Sequence, residues 1–166
     1  MQTFPLGPFA VSRVGLGAMQ LPGPGVFGPP RDREQALSVL RRAIELGVNH
    51  IDTAAFYQSR DGAVQANTLI HEVLLPYPPD LVIATKVGPL PGPNGVIQPT
   101  PAMLRAQVQD NLKTLGLERL DLVYLRIGIM EPQHGESLAA MREEGLIRHF
   151  GINNVDVTHL AEAREI

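Results

Sequence analysis

Four side chains in this sequence could move a proton or hold a charge: Asp52, Tyr57, Lys86 and Arg126. Each stands in or just after a short apolar run. Asp52 closes HID, with Tyr57 five positions on, Lys86 closes LVIATK, and Arg126 follows LDLVYL. A further run, IRHFGI, is followed by Asn153 and Asn154. A phenol of pKa about 10 is a poor acid at neutral pH, and a neighbouring ammonium favours its ionised form. Lys86 is a cation of that kind, and Asp52 is a carboxylate able to keep it charged and oriented. Tyr57 could then protonate a developing alkoxide, the task of a general acid. No side chain delivers hydride, so reduction would draw its electrons from a nicotinamide cofactor. Plainer readings stand beside this one: Asp52 caps a turn, Tyr57 packs in a loop, Lys86 is a solvated charge, and Arg126 turns to solvent or pairs with a carboxylate such as Glu131. Joint placement after separate apolar runs favours the chemical reading.

These residues need elements to position them, and the chain supplies a regular alternation. Residues 1–13 hold two short apolar runs around Gly7-Pro8, a small N-terminal hairpin or lid. Strands are predicted at Val14–Met19, His50–Ala54, Leu81–Lys86, Leu120–Leu125 and Ile147–Ile152. Helices are predicted at Arg33–Leu46, Gly62–Leu75, from Pro101 to Leu115, at Glu136–Glu144 and from Val157 onward. Asp32 is placed to cap the first helix, with Gln35 three residues on as its capping-box partner, and Thr100 to cap the third, whose first position is Pro101. The run LVIATK is apolar on both faces, as in a parallel strand covered by helices. Such an order predicts an α/β fold with a parallel sheet and right-handed crossovers. Either an open doubly wound sheet or a parallel (β/α)8 barrel satisfies it. In a barrel the active site lies at the C-terminal ends of the strands, where Asp52, Lys86, Arg126 and the Asn153-Asn154 pair fall.

With 166 residues the chain can form one domain with a real core, taken here as residues 1–166, but a complete barrel needs about 200 or more. Five βα units are visible, so this is read as the N-terminal portion of a barrel: either the natural protein is longer or the chain is a truncated product. Absence of cysteine excludes disulfides, thiol catalysis and zinc–thiolate sites. A net charge of −3 gives no reason to expect nucleic acid or an anionic membrane as a partner. No apolar run approaches a membrane span and the N-terminus lacks a secretory pattern, so cytoplasmic localisation is expected.

The segments VGLGAMQL, NHIDTAAFY, LVIATKVG, LGLERLDLVYL and EEGLIRHFGINN resemble, in the same order, those of the aldo/keto reductases. The resemblance covers nearly the whole chain. It implies a TIM barrel that binds NADPH in extended form and reduces aldehydes or ketones, with Asp52, Tyr57 and Lys86 matching three members of the family's Asp-Tyr-Lys-His tetrad. It further implies a cofactor-binding role for Gly17, Ala18 and Met19 beside Asp52, and for Asn153 and Asn154, which match a Ser-Asn pair that holds the nicotinamide carboxamide.

Three departures accompany the match. Arg126 stands where the family has His. Guanidinium donates only and stays charged, so Arg126 could polarise a carbonyl, favour acidic substrates, or crowd Lys86. The helix at Glu136–Glu144 is about one turn short. The last three βα units, which in the family carry much of the grip on the dinucleotide phosphates, lie outside this sequence. Two rival readings follow: a reductase-like binder of nucleotide or partner with impaired chemistry, or an inactive barrel fragment that self-associates through open sheet edges. The formal G-x-G-x-x-G at Gly23–Gly28 runs into Pro29-Pro30, not into a helix, and is read as a loop. No metal site is expected: His50-x-Asp52 has no further ligands converging on it, and His71, His134, His149 and His159 read as surface or helix residues.

Overall fold

The computed structural model describes residues 2–25, 28, 32–93, 95–126 and 132–164. The chain divides into two compact units, Met1–Ala84 with Thr114–Gly116, and Thr85–Lys113 with Leu117–Ile166.

The first unit opens with an antiparallel hairpin of β1 (Thr3–Leu6) and β2 (Phe9–Ser12), turned at Gly7 with φ 56°. β3 is only Leu16–Gly17, because the chain winds into a 3-10 turn at Ala18–Gln20 where a longer strand is predicted. α1 (Arg33–Glu45) starts where expected: the Asp32 carboxylate accepts from the backbone N–H of Glu34 at 2.9 Å and of Gln35 at 3.3 Å, satisfying donors that have no partner inside the helix. Its face of Ala36, Leu37, Leu40 and Ala43 is buried, and full burial of a leucine contributes roughly 1.5–3 kcal/mol.

β4 (His50–Asp52) pairs in parallel with β3, Gly17 opposite Asp52. α2 (Ala66–Leu74) begins four residues later than predicted. Asp61 and Gly62 are the physical reason. The Asp61 carboxylate accepts from the Ser59 hydroxyl at 2.6 Å and the Ala63 N–H at 3.0 Å, and Gly62 lies at φ 68°, so the chain makes a tight turn before the helix. Those hydrogen bonds hold the Asp61 carboxyl below its ordinary pKa. β5 (Val82–Val87) is buried at all six positions and pairs in parallel with β4, Asp52 opposite Ala84.

In the second unit, β6 (Leu90–Gly92) and β7 (Gly95–Ile97) form an antiparallel hairpin in a Pro/Gly-rich stretch for which no strand is predicted. α3 (Pro101–Leu115), β8 (Leu120–Arg126), α4 (Pro132–Glu143), β9 (Ile147–Asn153) and α5 (Val157–Ala163) complete the order. α4 begins four residues earlier than predicted. His134, read as a surface or helix residue, is buried in α4 with Nε2 2.9 Å from the Pro99 carbonyl oxygen. The parallel strands follow the order β3-β4-β5-β8-β9, the expected α/β alternation. No helix among the described residues is long and apolar enough to cross a membrane.

The N-terminal hairpin is fastened to the end of β4 opposite Asp52. The Asn49 side-chain oxygen accepts from the buried Ser12 N–H at 2.7 Å, its amide donates to the Ala10 carbonyl at 3.0 Å, and the Ser12 hydroxyl lies 2.8 Å from the Gly47 carbonyl. Leaving a buried donor unpaired costs about 1–3 kcal/mol. Asn49→Ala is therefore expected to lower stability by roughly that amount, read as a fall in the urea midpoint at constant m-value. An unchanged midpoint would remove Asn49 as the fastening.

Candidate active site

In the first unit, strand pairing brings Gly17 and Asp52 side by side at the C-terminal ends of β3 and β4. Gly17 is exposed, and a side-chain carbon there would meet nothing within 4 Å, so the backbone faces open space. Ala18 is fully buried, whereas Met19 is 40% exposed. Tyr57 follows in the loop after β4. Its N–H donates to the Ala54 carbonyl at 3.0 Å and its carbonyl accepts from the Ala66 N–H at 2.9 Å, so the residue is tied to the first turn of α2. The ring is 7% exposed and meets Phe56 edge to face at 5.1 Å. That contact and the backbone ties fix where the phenol can be.

His50 was weighed in the sequence only as a metal ligand. His50 shares a strand face with Asp52, two residues on. Its Nε2 is buried with no hydrogen-bond partner among the described residues. Gly15 makes room for the ring: a side-chain carbon there would stand 3.2 Å from His50 Nδ1. Burial pushes the His50 pKa below its ordinary value, with the Asp52 carboxylate opposing the shift.

In the second unit, Lys86 is 6% exposed within the buried strand β5. Two residues of α3 hold the backbone on either side of it. The Thr85 hydroxyl donates to the Asn111 side-chain oxygen at 2.6 Å. Gln107 makes a paired clasp on Gly88, its side-chain oxygen accepting from the Gly88 N–H at 2.8 Å and its amide donating to the Gly88 carbonyl at 2.9 Å. Gly88 lies at φ 148°, and a side-chain carbon there would stand 2.3 Å from the Arg126 carbonyl oxygen. Only glycine permits that approach. Arg126 and Asn153 pair at the C-terminal ends of β8 and β9, and Asn154 follows at φ 64°, a region asparagine tolerates. Arg126 and Asn154 line one cavity with the β6–β7 hairpin. Glu131, a partner considered for Arg126, lies outside the described residues. Neither the hairpin nor the clasp could be read from the sequence; the Gly92 and Gly95 pair in the hairpin was the available signal.

The predicted site residues thus divide between the units, Gly17, Ala18, Met19, Asp52 and Tyr57 in the first and Lys86, Arg126, Asn153 and Asn154 in the second. An exposed glycine backbone allows close approach of a flat group, and the asparagine amides offer both the donors and the acceptors that a carboxamide needs.

The aldo/keto reductase family pattern matches residues 13–166. Pyridoxine 4-dehydrogenase of Escherichia coli (strain K12) is 49% identical over 176 residues, covering 99% of this chain and 60% of that protein. Among solved structures, the glycerol dehydrogenase of Gluconobacter oxydans matches with a TM-score of 0.82 at 26% identity, covering 99% of this chain and 52% of that one. The holo form of an aldo-keto reductase from Bacillus halodurans matches with a TM-score of 0.74 at 30% identity, covering 92% and 50%. The chain belongs to the aldo/keto reductase family, a family of oxidoreductases, and its fold is part of that family's β/α barrel. It spans about 60% of the length of the E. coli relative.

Two predictions follow from this geometry. Gln107→Leu is expected to speed hydrogen exchange at the Gly88 amide about tenfold, a local loss of ~1–2 kcal/mol; unchanged protection would show that the clasp does not hold the strand end. His50 favours its neutral form in the folded state. As pH falls below about 6.5 the unfolded chain takes up its proton first, so stability declines with falling pH in that window. His50→Gln should flatten the decline below about pH 6.5, measured from urea midpoints; an unaltered slope would assign it to other groups.

Proposed function

We propose that the protein reduces aldehydes or ketones to alcohols with NADPH, with Tyr57 as proton donor. The observation that carries this reading is that Asp52, Lys86, Arg126 and Asn153 all stand at or next to the C-terminal ends of parallel strands, with Tyr57 in the adjoining loop, where β/α barrels place their chemistry. Bound NADPH would supply hydride to the carbonyl carbon and be oxidised to NADP+. Gly17, Ala18 and Met19 would lie along it, and Asn153 and Asn154 would hold its carboxamide.

The proton reaches the new alkoxide from the Tyr57 phenol. As the O–H bond of Tyr57 breaks, a bond to the substrate oxygen forms, and this reading gives Lys86 the role of the ammonium that would stabilise the phenolate left behind. A buried ammonium needs compensating acceptors, and Asp52 is the carboxylate this reading assigns to it. Arg126 would polarise the carbonyl oxygen, a role that requires donation alone.

The test is NADPH oxidation with a panel of aldehydes and ketones. Tyr57→Phe should lower turnover by about 10²–10⁴-fold while NADPH fluorescence on binding is retained. Unchanged turnover would overturn the assignment. Arg126 also favours a second reading, a binder of nucleotide with impaired chemistry. Arg126→His would then raise turnover, whereas fast turnover with the native arginine excludes it.

A further inference from the structure

The second unit holds a cavity of about 460 Å³ lined by Pro89, Leu90, Pro91, Gly95, Val96, Arg126 and Asn154. That volume suits a small organic ligand, for which pockets run to roughly 300–1,000 Å³. The lining has a definite chemistry. The β6–β7 hairpin contributes carbon, chiefly the side chains of Leu90 and Val96. Among the described residues of the lining, Arg126 contributes the one formal charge and Asn154 an amide, and none is a carboxylate.

Arg126 is set firmly at this wall. Its strand pairs with β9 through the Arg126–Asn153 register, and its carbonyl is packed against the side-chain-free Gly88, itself clasped by Gln107. A guanidinium cannot lose its charge in the accessible pH range and accepts no proton. It carries five N–H donors, so an interaction with the protein leaves others for a ligand. A group that pairs with it most strongly is an anionic oxygen, because a charge-assisted hydrogen bond is about twice as strong as a neutral one. The apolar hairpin accommodates a carbon body and offers no competing anion.

We propose that this cavity selects carbonyl compounds that carry an anionic oxygen near the carbonyl, as an α-oxo carboxylate does, with Arg126 binding that oxygen and the β6–β7 hairpin covering the apolar part. The proposal rests on the reductase reading and names its substrate class. Arg126 then sorts substrates by charge, beyond any polarisation of the carbonyl.

Phenylglyoxylate and its methyl ester form a matched pair with the same ring and the same ketone, one charged and one neutral. Their affinities for the protein are measured by ligand-observed NMR, and their kcat/KM values by NADPH oxidation. The acid should bind at least about tenfold more tightly than the ester. Arg126→Gln should bring the two affinities to parity, since the charged contact that separates the acid from the ester is lost. Val96→Asp provides a second variant on the exposed hairpin, where a carboxylate beside the guanidinium should weaken the acid alone. Equal native affinities, or a preference that survives both substitutions, would overturn the proposal. Selective binding of the acid with neither compound reduced would leave the cavity assignment standing and remove the reductase reading. Equal reduction of both compounds regardless of Arg126 would do the reverse.

Discussion

A parallel strand covered on both faces gives its inner backbone groups to the ladder but abandons those just beyond its ends, where the chain turns into loops and water does not always reach. In this protein side-chain amides take over at those points. Asn49, just before β4, serves Ala10 and Ser12 of β2, Gln65 donates to the Ala55 carbonyl in the loop after β4 at 2.8 Å, and Gln107 serves Gly88 after β5. An amide has a donor and an acceptor on one rigid plane, so it can substitute for a strand neighbour. The clasp on Gly88 does this most fully, pairing with both backbone groups of one residue. Loop conformation at the strand ends, and with it the direction in which Lys86 and Arg126 leave the sheet, depends on these few contacts.

The same economy explains why the exposed ion pairs matter little to the architecture. Arg105 and Glu144 form a two-pronged pair at 2.5 and 2.7 Å, and Arg33 pairs with Glu72, yet these groups stand in solvent. Exposed pairs are screened and contribute about 0–1 kcal/mol. Their mutual effect is seen in the Glu144 carboxyl, which the guanidinium holds below its ordinary range. Tyr77 behaves in the opposite sense: burial raises its phenol well above the usual value while its hydroxyl donates to the Leu115 carbonyl at 2.7 Å. That phenol is a structural donor and is kept in its protonated form.

How much could be read in advance follows from the range of each interaction. Asp32 before α1 and Thr100 before α3 are local signals, and both fell where the pattern placed them. Apolar runs located the five parallel strands, most plainly β5, whose burial at all six positions leaves a continuous apolar stretch. Boundaries failed where a polar side chain made a local turn of its own, as Asp61 does before α2. The β6–β7 hairpin was hidden because Pro91 and two glycines weaken any strand signal. The clasp at Gly88 joins residues 19 apart, and the demand for glycine there comes from a carbonyl 38 positions further on, which no short-range pattern encodes.

β5 belongs to both compact units, Val82–Ala84 to one and Thr85–Val87 to the other, and the short stretch Thr114–Gly116 at the end of α3 is counted with the first. A protein engineer who wished to express either part alone would find no safe place to cut. Severing the chain at the boundary divides an unbroken run of six buried residues, and each product would carry a raw apolar stump into solvent. The chain is therefore poorly suited to two-piece reassembly at this point, and a graft or a circular permutation would do better at the exposed tip of a hairpin than at the frontier between its two halves.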